Sequence, residues 1–304
     1  MNFDTSVEPT SVVLFQAHEV SVETLAAYEA LRRLAGKNYQ VRILLDIKNS
    51  ADLPSEFAGE AFLFNSGEFD KWGFPVLGGS MLPGHCHFPI LKFFQCNPKI
   101  SQLWLIEYDV RFTGEWSYFL DYFKDDDADL LCSHLRHFSE EPAWFWWDSL
   151  EVPAEYLCEV SQGKDLLRLR SFLVVARYSA AAMRAIIKAT LDGWKGHQEV
   201  IIPTAIAQAG LKIRDLNGRG VNCESRIKAK SFYTSYSDLQ GALEEFGTMR
   251  YRPSSKSPGR YRNKLYHPVK PSSMASIKTA VGAFRSKLRA LMRLGKAALY
   301  RLAS

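Results

Sequence analysis

The sequence predicts an α/β fold in which a mostly parallel sheet is flanked by helices. Residues 11–17, SVVLFQA, form a short apolar run typical of a buried strand. Residues 22–34 then carry apolar side chains at helical spacing, and residues 41–47, VRILLDI, are again apolar. A strand, a helix and a second strand in this order are typical of a βαβ unit, because parallel strands need a crossover helix.

The remaining elements follow from similar patterns along the chain. Apolar runs predict further strands over residues 61–65, 127–134 and 171–176, with another that begins at Trp104. Helical spacing predicts helices over residues 89–96, 116–123 and 180–191. The first of these helices opens on Pro89, a residue favoured in the first helical turn. The glycine-rich stretch between residues 67 and 84 predicts a loop.

Composition limits the class of protein. The chain has 304 residues, of which 47% are hydrophobic and 13% aromatic, so a sizeable core is available. The sequence shows neither a secretion signal nor an apolar run of about 18 residues that would predict a membrane span. The five cysteines are odd in number and form no C-x-x-C pair. They predict free thiols and a cytoplasmic location.

Charge divides the chain into two parts. Residues 248–304 hold 14 of the 38 Lys and Arg residues and none of the 33 Asp and Glu residues. The remainder therefore has an acidic excess, with 24 basic against 33 acidic residues. We predict an α/β body over residues 1–247, a basic linker over residues 248–272 and a basic amphipathic helix over residues 273–304.

The basic amphipathic helix admits three interpretations. Ile277, Val281, Phe284 and Leu288 recur at helical intervals, and seven cations occupy much of the rest. Such a helix is typical of a membrane-surface element, but it could also pack on the acidic body or remain a disordered tail. We favour membrane docking, which would place the protein on the inner face of the membrane. Nucleic acid is disfavoured, because aromatic residues are sparse and no recognised motif is present.

The stretch WLIEYDVRF, residues 104–112, carries the chemistry. It reads as a buried strand that ends in two carboxylates, Glu107 and Asp109, after several βα units. Ligands of open α/β sheets bind at the carboxyl ends of strands, and side chains two residues apart on an extended chain point the same way. Two such acids suit Mg²⁺ or Mn²⁺. The alternative is a strand-end acid that caps a helix or pairs with Arg111.

The longer string WLIEYDVRFTGEW, residues 104–116, resembles GT-A glycosyltransferases. It is similar to a poorly characterised group with the pattern W-x-I-E-Y-D-V-R-F/Y-x-G-x-W, over residues 11 to about 270. The resemblance implies a GT-A-like, Rossmann-type catalytic domain that moves a sugar from a nucleotide-sugar donor to a saccharide or lipid-linked acceptor. It implies that Glu107 and Asp109 face Mn²⁺ or Mg²⁺ and the diphosphate, with Asp109 as the direct ligand.

Two acids are candidates for the base that deprotonates the acceptor. In GHQEVIIPT, residues 196–204, Glu199 lies where inverting GT-A enzymes often carry such an acid, with His197 as an alternative. Glu199 also fits a plain first-turn acid favoured by the helix dipole. Asp148 is the second candidate, beside the aromatic run PAWFWWDSL, residues 142–150. That run is predicted either to border the acceptor or to plug the core.

The resemblance also implies donor contacts. In LYHPVK, His267 would return to the metal or diphosphate, and Lys270 would neutralise phosphate charge. Asp46 and Gln16, at the ends of the first two strands, would border the nucleotide. His267 and Asp46 also fit ordinary turns. The HCH string at residues 85–87 does not match zinc-ligand spacing, so a loop near the donor pocket is predicted.

Two other functions remain open. A nucleotidyltransferase of the same fold would need a glycine-rich, basic loop directly after the first strand. The actual sequence there, QAHEVSVE, has neither glycine nor lysine nor arginine. The second alternative is a non-catalytic scaffold on the nucleotide-sugar fold, which would recruit partners through the basic tail.

Overall fold

A computed structural model describes residues 11–18, 20–35, 39–47, 53–76, 84–154, 156, 167–223, 231–234 and 247–270. These residues form a mixed α/β arrangement with a large, mostly parallel sheet flanked by helices, which confirms the predicted fold class. The predicted amphipathic helix at residues 273–304 lies outside the described residues. Within the described ranges, no helix combines the length and the apolar character that crossing a bilayer requires.

The strands and helices alternate along the first half of the chain. The strands are β1 Ser11–Ala17, β2 Gln40–Asp46, β3 Ala61–Phe64, β4 Gln102–Glu107, β5 Arg111–Phe112, β6 Leu130–His137, β7 Leu169–Ser179, β8 Ile213–Asp215, β9 Gly220–Val221 and β10 Leu265–Tyr266. The helices are α1 Val22–Ala35, α2 Phe88–Cys96, α3 Trp116–Tyr122, α4 Ala180–Leu191 and α5 Gln198–Gln208.

The main sheet has the strand order β3-β2-β1-β4-β7-β6-β8-β9 in the described residues. Strands β3, β2, β1 and β4 are parallel neighbours. Strand β7 lies between β4 and β6 and runs antiparallel to both. The first crossover of the chain places β2 on one side of β1, and a later crossover places β4 on the other side of β1. Such a reversal opens a crevice at the carboxyl ends of the two central strands.

The core lies on both faces of this sheet. Successive side chains of a strand point to opposite faces, so Val13 and Phe15 pack with α1 and α3, whereas Leu14 packs with α2, α4 and α5. All three side chains are almost completely buried. Burying one such side chain contributes about 1.5–3 kcal/mol. A sheet covered on both faces explains why β1 and β4 read as continuous apolar runs.

Two predicted strand boundaries were wrong. The strand predicted at residues 127–134 begins at Leu130, because Asp127 pairs with Lys212 and Asp129 accepts a hydrogen bond from the Lys212 amide. The strand predicted at residues 171–176 extends over Leu169–Ser179, because β7 finds ladder partners on both edges. Tertiary pairing therefore set both lengths.

The end of the described chain returns to the middle of the sheet. Strand β10 pairs antiparallel with β5, so residues 247–270 cross beside the carboxyl end of β4. The Val269 amide donates to the Asp109 carbonyl over 2.8 Å. This return brings a distant basic segment to the two acids of the β4–β5 connection.

Candidate active site at the carboxyl ends of β1 and β4

The two central strands end side by side with polar residues. Gln16 of β1 and Glu107 of β4 are register partners, and the Tyr108 amide donates to the Gln16 carbonyl over 2.9 Å. Asp46 ends the neighbouring strand β2. Three predicted site residues therefore lie at one edge of the sheet, where the carboxyl ends of parallel strands meet.

A tight turn brings the two acids together. Strand β4 ends at Glu107, and the Val110 amide donates back to the Glu107 carbonyl over 3.0 Å. Arg111 holds this turn by donating to the carbonyls of Tyr108 and Val110. We expected the carboxylates to converge because an extended strand would point them the same way. They do converge, but that reason was wrong, since the turn places Asp109.

The returning segment adds a histidine and a lysine to the acids. The Nε2 atom of His267 lies 3.3 Å from Asp109 Oδ1 and 3.9 Å from Glu107 Oε2. The Nζ atom of Lys270 lies 3.2 Å from Asp109 Oδ2 and donates to the Tyr108 hydroxyl over 3.1 Å. Asp109 is 3% exposed, so its charge depends on these two partners rather than on water.

The tautomer of His267 follows from its backbone contact. Its Nδ1 atom lies 2.7 Å from the Arg250 carbonyl, which accepts hydrogen bonds but cannot donate them, so Nδ1 carries a proton. In the neutral ring, Nε2 would then direct a lone pair at the Asp109 oxygen. Two lone pairs 3.3 Å apart repel each other unless a proton or a cation lies between them.

These three residues fit a divalent metal ion. Glu107, Asp109 and His267 each offer one ligand atom, and these atoms all lie within 4.8 Å of one another. Asp109 Oδ1 is buried and accepts no well-formed hydrogen bond. The carbonyl on Nδ1 of His267 is the outer contact that metal-binding histidines usually have. Two carboxylates and one imidazole form a donor set suited to Mn²⁺.

The charges of the cluster shift its proton affinities in opposite directions. Burial raises the pKa of Glu107 to about 7, and the neighbouring Asp109 charge adds to the rise. Burial also opposes the ionisation of Asp109, but His267 and Lys270 outweigh burial and hold its pKa below the usual range. Burial lowers the pKa of His267, yet Asp109 and Glu107 shift it upward overall. Without a metal, the second negative charge of this site is therefore costly.

Gln16 and Asp46 lie on the side of the cluster toward β2. Gln16 donates through Nε2 to the Cys86 carbonyl over 2.7 Å, and its buried Oε1 atom has no hydrogen-bond partner in the described residues. Asp46 is 1% exposed and receives the Ser66 amide at 3.5 Å. Gln16 thereby fastens the HCH loop to the end of β1.

The HCH loop packs between the strand ends and helix α5. The Gln198 amide donates to the Gly84 carbonyl over 3.0 Å. Gly84 has a φ of +104°, and a Cβ there would lie 2.9 Å from His197 Cα, so only glycine fits. Burial lowers the pKa of His87 to about 3, with help from His85 and His197. Among the described residues, the metal-ligand cluster found does not include this loop.

Glu199 lies in the first turn of α5, as both of its interpretations required. It is half-buried, and its amide donates to Nδ1 of His197 over 3.3 Å, so His197 is the N-cap of the helix. Burial raises the pKa of the Cys86 thiol to about 12, and the charges of Glu107 and Glu199 both add to the rise.

The aromatic run divides into a buried and a half-buried part. Trp144 and Trp147 are 2% and 3% exposed and pack against Val200, so these two rings belong to the core. Trp146 is half-buried and stacks on His197, with ring centroids 4.4 Å apart and an interplanar angle of 19°. Asp148 is exposed. Of the four rings in the aromatic run, only Phe145 and Trp146 are therefore left to border an acceptor.

Tyr108 is the site residue that the sequence interpretation missed. Its hydroxyl accepts from Lys270, and its ring lies edge-on to His18 with centroids 4.6 Å apart. The position falls between Glu107 and Asp109, where an extended strand would turn it to the opposite face. Tyr108 is part of the WLIEYDVRF string, but its contact with Lys270 depends on the turn after β4, which the string does not predict.

Comparisons with known proteins identify no family. No family model matches the chain, and no curated protein matches it. Among solved structures, galactosyltransferase LgtC in complex with donor and acceptor sugar analogues is 11% identical with a TM-score of 0.39, over 68% of this chain and 73% of that chain. An active-site mutant of LgtC is 10% identical with a TM-score of 0.37, over 64% of this chain and 69% of that chain.

The apo-form glycosyltransferase GlyE of Streptococcus pneumoniae TIGR4 is 12% identical with a TM-score of 0.30, over 67% of this chain and 43% of that chain. These three structures are all glycosyltransferases. At these TM-scores and identities, the likeness assigns neither an activity nor a residue role to this chain.

Proposed function

We propose that the chain is a metal-assisted glycosyltransferase that uses a nucleotide-sugar donor and a saccharide or lipid-linked acceptor. The observation that carries this proposal is the convergence of Glu107, Asp109 and His267 at the crevice between β1 and β4. The same acids belong to the string that resembles GT-A enzymes. A role in polysaccharide biosynthesis follows if the acceptor is a growing saccharide.

The cluster is suited to hold a diphosphate. When Mn²⁺ or Mg²⁺ is bound, it neutralises charge on the departing nucleotide diphosphate. Asp109 and Glu107 would hold the ion through carboxylate oxygens, and His267 would hold it through Nε2. Lys270 lies 3.2 Å from Asp109 Oδ2 and is about one third exposed, so its ammonium group can also reach a phosphate oxygen.

The nucleotide occupies the β2 side of the crevice in this proposal. Asp46 ends the strand next to β1 and in this proposal would accept a hydrogen bond from a ribose hydroxyl. Gln16 offers the buried Oε1 atom, which has no partner within the described part of the chain. A nucleobase or ribose donor would satisfy that atom, since a buried acceptor without a partner costs about 1–3 kcal/mol.

Glu199 is the preferred base over Asp148. It is half-buried at the start of α5, and its charge acts on the same Cys86 thiol as that of Glu107. Asp148 is exposed, so the site around it does not exclude water from an acceptor hydroxyl. In the proposed reaction Glu199 takes the proton of the acceptor hydroxyl as that oxygen attacks the anomeric carbon.

The test is a donor screen with purified full-length protein. Thermal shift with each nucleotide sugar, in Mn²⁺, in Mg²⁺ and in chelator, should identify one donor that stabilises the protein only with metal. Release of the nucleotide diphosphate on addition of saccharide acceptors then measures turnover. If no nucleotide or nucleotide sugar stabilises the protein with metal present, the enzyme proposal is wrong.

Matched variants separate the proposal from its alternatives. Glu199→Gln should bind the donor normally but lose turnover, whereas Asp125→Asn, at an exposed acid after α3, should keep both. Donor binding with no turnover on any acceptor would favour the non-catalytic scaffold. Release of pyrophosphate from a nucleoside triphosphate would favour a nucleotidyltransferase.

A further inference from the structure

Residues 250–264 form a basic surface segment that the proposed reaction does not use. The segment contains six cations and no acid. The cations are Arg250, Arg252, Lys256, Arg260, Arg262 and Lys264. It also contains two exposed tyrosines, Tyr251 at 46% and Tyr261 at 56% exposure. We call residues 250–264 the basic loop.

The basic loop is fixed to the body along most of its length. The Ser255 amide donates to the Pro268 carbonyl over 2.9 Å. The Tyr261 amide donates to the Tyr266 hydroxyl over 3.1 Å, and Thr113 donates to the Tyr261 carbonyl over 2.5 Å. These bonds use backbone groups of the loop. Lys256, Arg260 and Arg262 are exposed, whereas Arg250 and Lys264 are half-buried and donate to the carbonyls of Pro253 and Ser231.

Gly259 shows how closely the loop packs on β10. A Cβ at this position would lie 2.6 Å from a ring carbon of Tyr266, closer than real Cβ contacts come. The loop backbone therefore lies directly against the ring. A loop packed in this way presents its charges in a defined arrangement.

Three exposed cations without an acidic partner in the described part of the chain lie within seven residues of the loop. Lys256, Arg260 and Arg262 form no ion pair with an acid among the described residues. Some other exposed cations do have acidic partners: Arg32 with Glu60, Lys71 with Glu68, Lys188 with Asp192 and Lys212 with Asp127. The positive potential of the loop is therefore not cancelled by described neighbours.

We propose that the basic loop docks on an anionic phospholipid surface. Lys and Arg side chains are attracted to anionic headgroups, and tyrosine rings favour the headgroup level of a bilayer. Residues 1–247 are acidic by nine charges, 24 basic against 33 acidic. A long nucleic acid that extended past the loop would meet this acidic body, which disfavours nucleic acid as the partner.

Docking by the loop has a consequence for the acceptor, and this step rests on the proposed function. The loop packs on the stretch of chain that carries His267 and Lys270. A membrane held by the loop would therefore lie beside the crevice between β1 and β4. The acceptor that fits this arrangement is a lipid-linked saccharide, with its lipid in the bilayer and its sugar in the crevice.

Co-sedimentation of the full-length protein with lipid vesicles tests the loop. The vesicles are phosphatidylcholine alone, or an equal mixture of phosphatidylcholine and phosphatidylglycerol. The combined substitution Lys256→Gln, Arg260→Gln and Arg262→Gln should lower partitioning to the anionic vesicles by about tenfold or more. The matched control, Lys99→Gln, Lys124→Gln and Arg184→Gln, removes three exposed charges elsewhere and should partition as the wild type does.

A second variant separates ring contact from charge. Tyr251→Ser with Tyr261→Ser keeps every charge and every backbone bond of the loop, and should lower partitioning to anionic vesicles by a smaller factor. The proposal is overturned if the wild type ignores anionic vesicles, or if the loop and control triple variants partition equally. It is also overturned if the loop triple loses binding to a DNA duplex but keeps vesicle binding.

The vesicle assay needs no donor sugar and no turnover. Transfer without loop-dependent vesicle binding would overturn the docking proposal and leave the proposed function intact. Vesicle binding without any transfer would overturn the proposed function and leave the docking proposal intact. Equal melting temperatures of the loop and control variants would show that both remain folded.

Discussion

Asp109 and Asp215 are both buried acids at the ends of strands, but their surroundings differ in kind. Asp215 ends β8 and is 1% exposed, and Asp109 follows β4 and is 3% exposed. Asp215 accepts the amides of Leu135 and Asn217 and the hydroxyl of Tyr233. Asp109 faces His267 and Lys270, and its Oδ1 atom accepts no well-formed hydrogen bond.

Burial therefore does not distinguish a structural acid from a functional one. Burial raises the pKa of Asp215 even though it accepts several hydrogen bonds, whereas two cationic partners hold the pKa of Asp109 low. The hydrogen bonds of Asp215 are complete and fix loops to the sheet. Asp109 keeps an oxygen available beside other ligand atoms, which indicates a binding role.

The largest expected effect comes from Asp109→Asn. Loss of a ligand carboxylate should lower turnover with the identified donor by about 10³-fold, since metal ions supply several kcal/mol of charge stabilisation. The variant should also lose the rise in melting temperature that Mn²⁺ gives the wild type. The distinction drawn between Asp109 and Asp215 is wrong if Mn²⁺ raises the melting temperature of Asp109→Asn as much as that of the wild type.

Asp215→Asn should act on folding instead. The amide group cannot accept from both backbone donors, so the free energy of unfolding should fall by about 3 kcal/mol. Urea unfolding measures this loss. The folded fraction should still respond to Mn²⁺ by thermal shift. A variant with normal stability would show that the hydrogen bonds of Asp215 do not hold this end of the sheet.

Substitution of His134 should have a smaller effect, because this residue acts on Mn²⁺ binding only through the segment that positions His267. Its Nε2 atom donates to the Met249 carbonyl over 2.8 Å. The residues on either side of Met249 both bind His267. The Thr248 carbonyl accepts from the His267 amide, and the Arg250 carbonyl accepts from the His267 Nδ1 atom. His134→Ala should therefore weaken Mn²⁺ binding by about tenfold, as loss of outer contacts does at other metal sites.

His134→Gln tests whether that effect is positional. The glutamine amide can restore the donor, so Mn²⁺ affinity by calorimetry should recover toward the wild-type value. Equal affinities for the alanine variant and the wild type would contradict a positioning role for His134. A loss of stability without a loss of affinity would assign it to folding alone.

The smallest predicted effect is the pH dependence caused by Glu107. Its pKa is raised to about 7 in the folded state, so in chelator the folded protein binds a proton that the unfolded chain releases between about pH 4.5 and 7. The free energy of unfolding should therefore fall as pH rises through this range. Glu107→Gln should flatten this part of the profile. An identical slope in both proteins would exclude Glu107 as its source.

Several elements were predictable because local pattern and tertiary environment agree. Strand β1 and helix α4 have the predicted bounds, residues 11–17 and 180–191, since both combine strong apolar patterns with clear ends. Strand β6 was misplaced because Asp127 and Asp129 are bound by Lys212, a residue more than 80 positions away. Local sequence carries no information on such a partner.

By itself, the sequence determined the α/β class, the buried strand that leads into Glu107 and Asp109, and the separation of an acidic body from a basic end. These features depend on period, composition and short-range patterns. Only the tertiary structure decided that Asp109 meets His267 and Lys270 across about 160 residues. It also decided that Trp144 and Trp147 are core while Trp146 is not. Contacts between distant segments depend on how the sheet closes, and no local pattern of side chains encodes that.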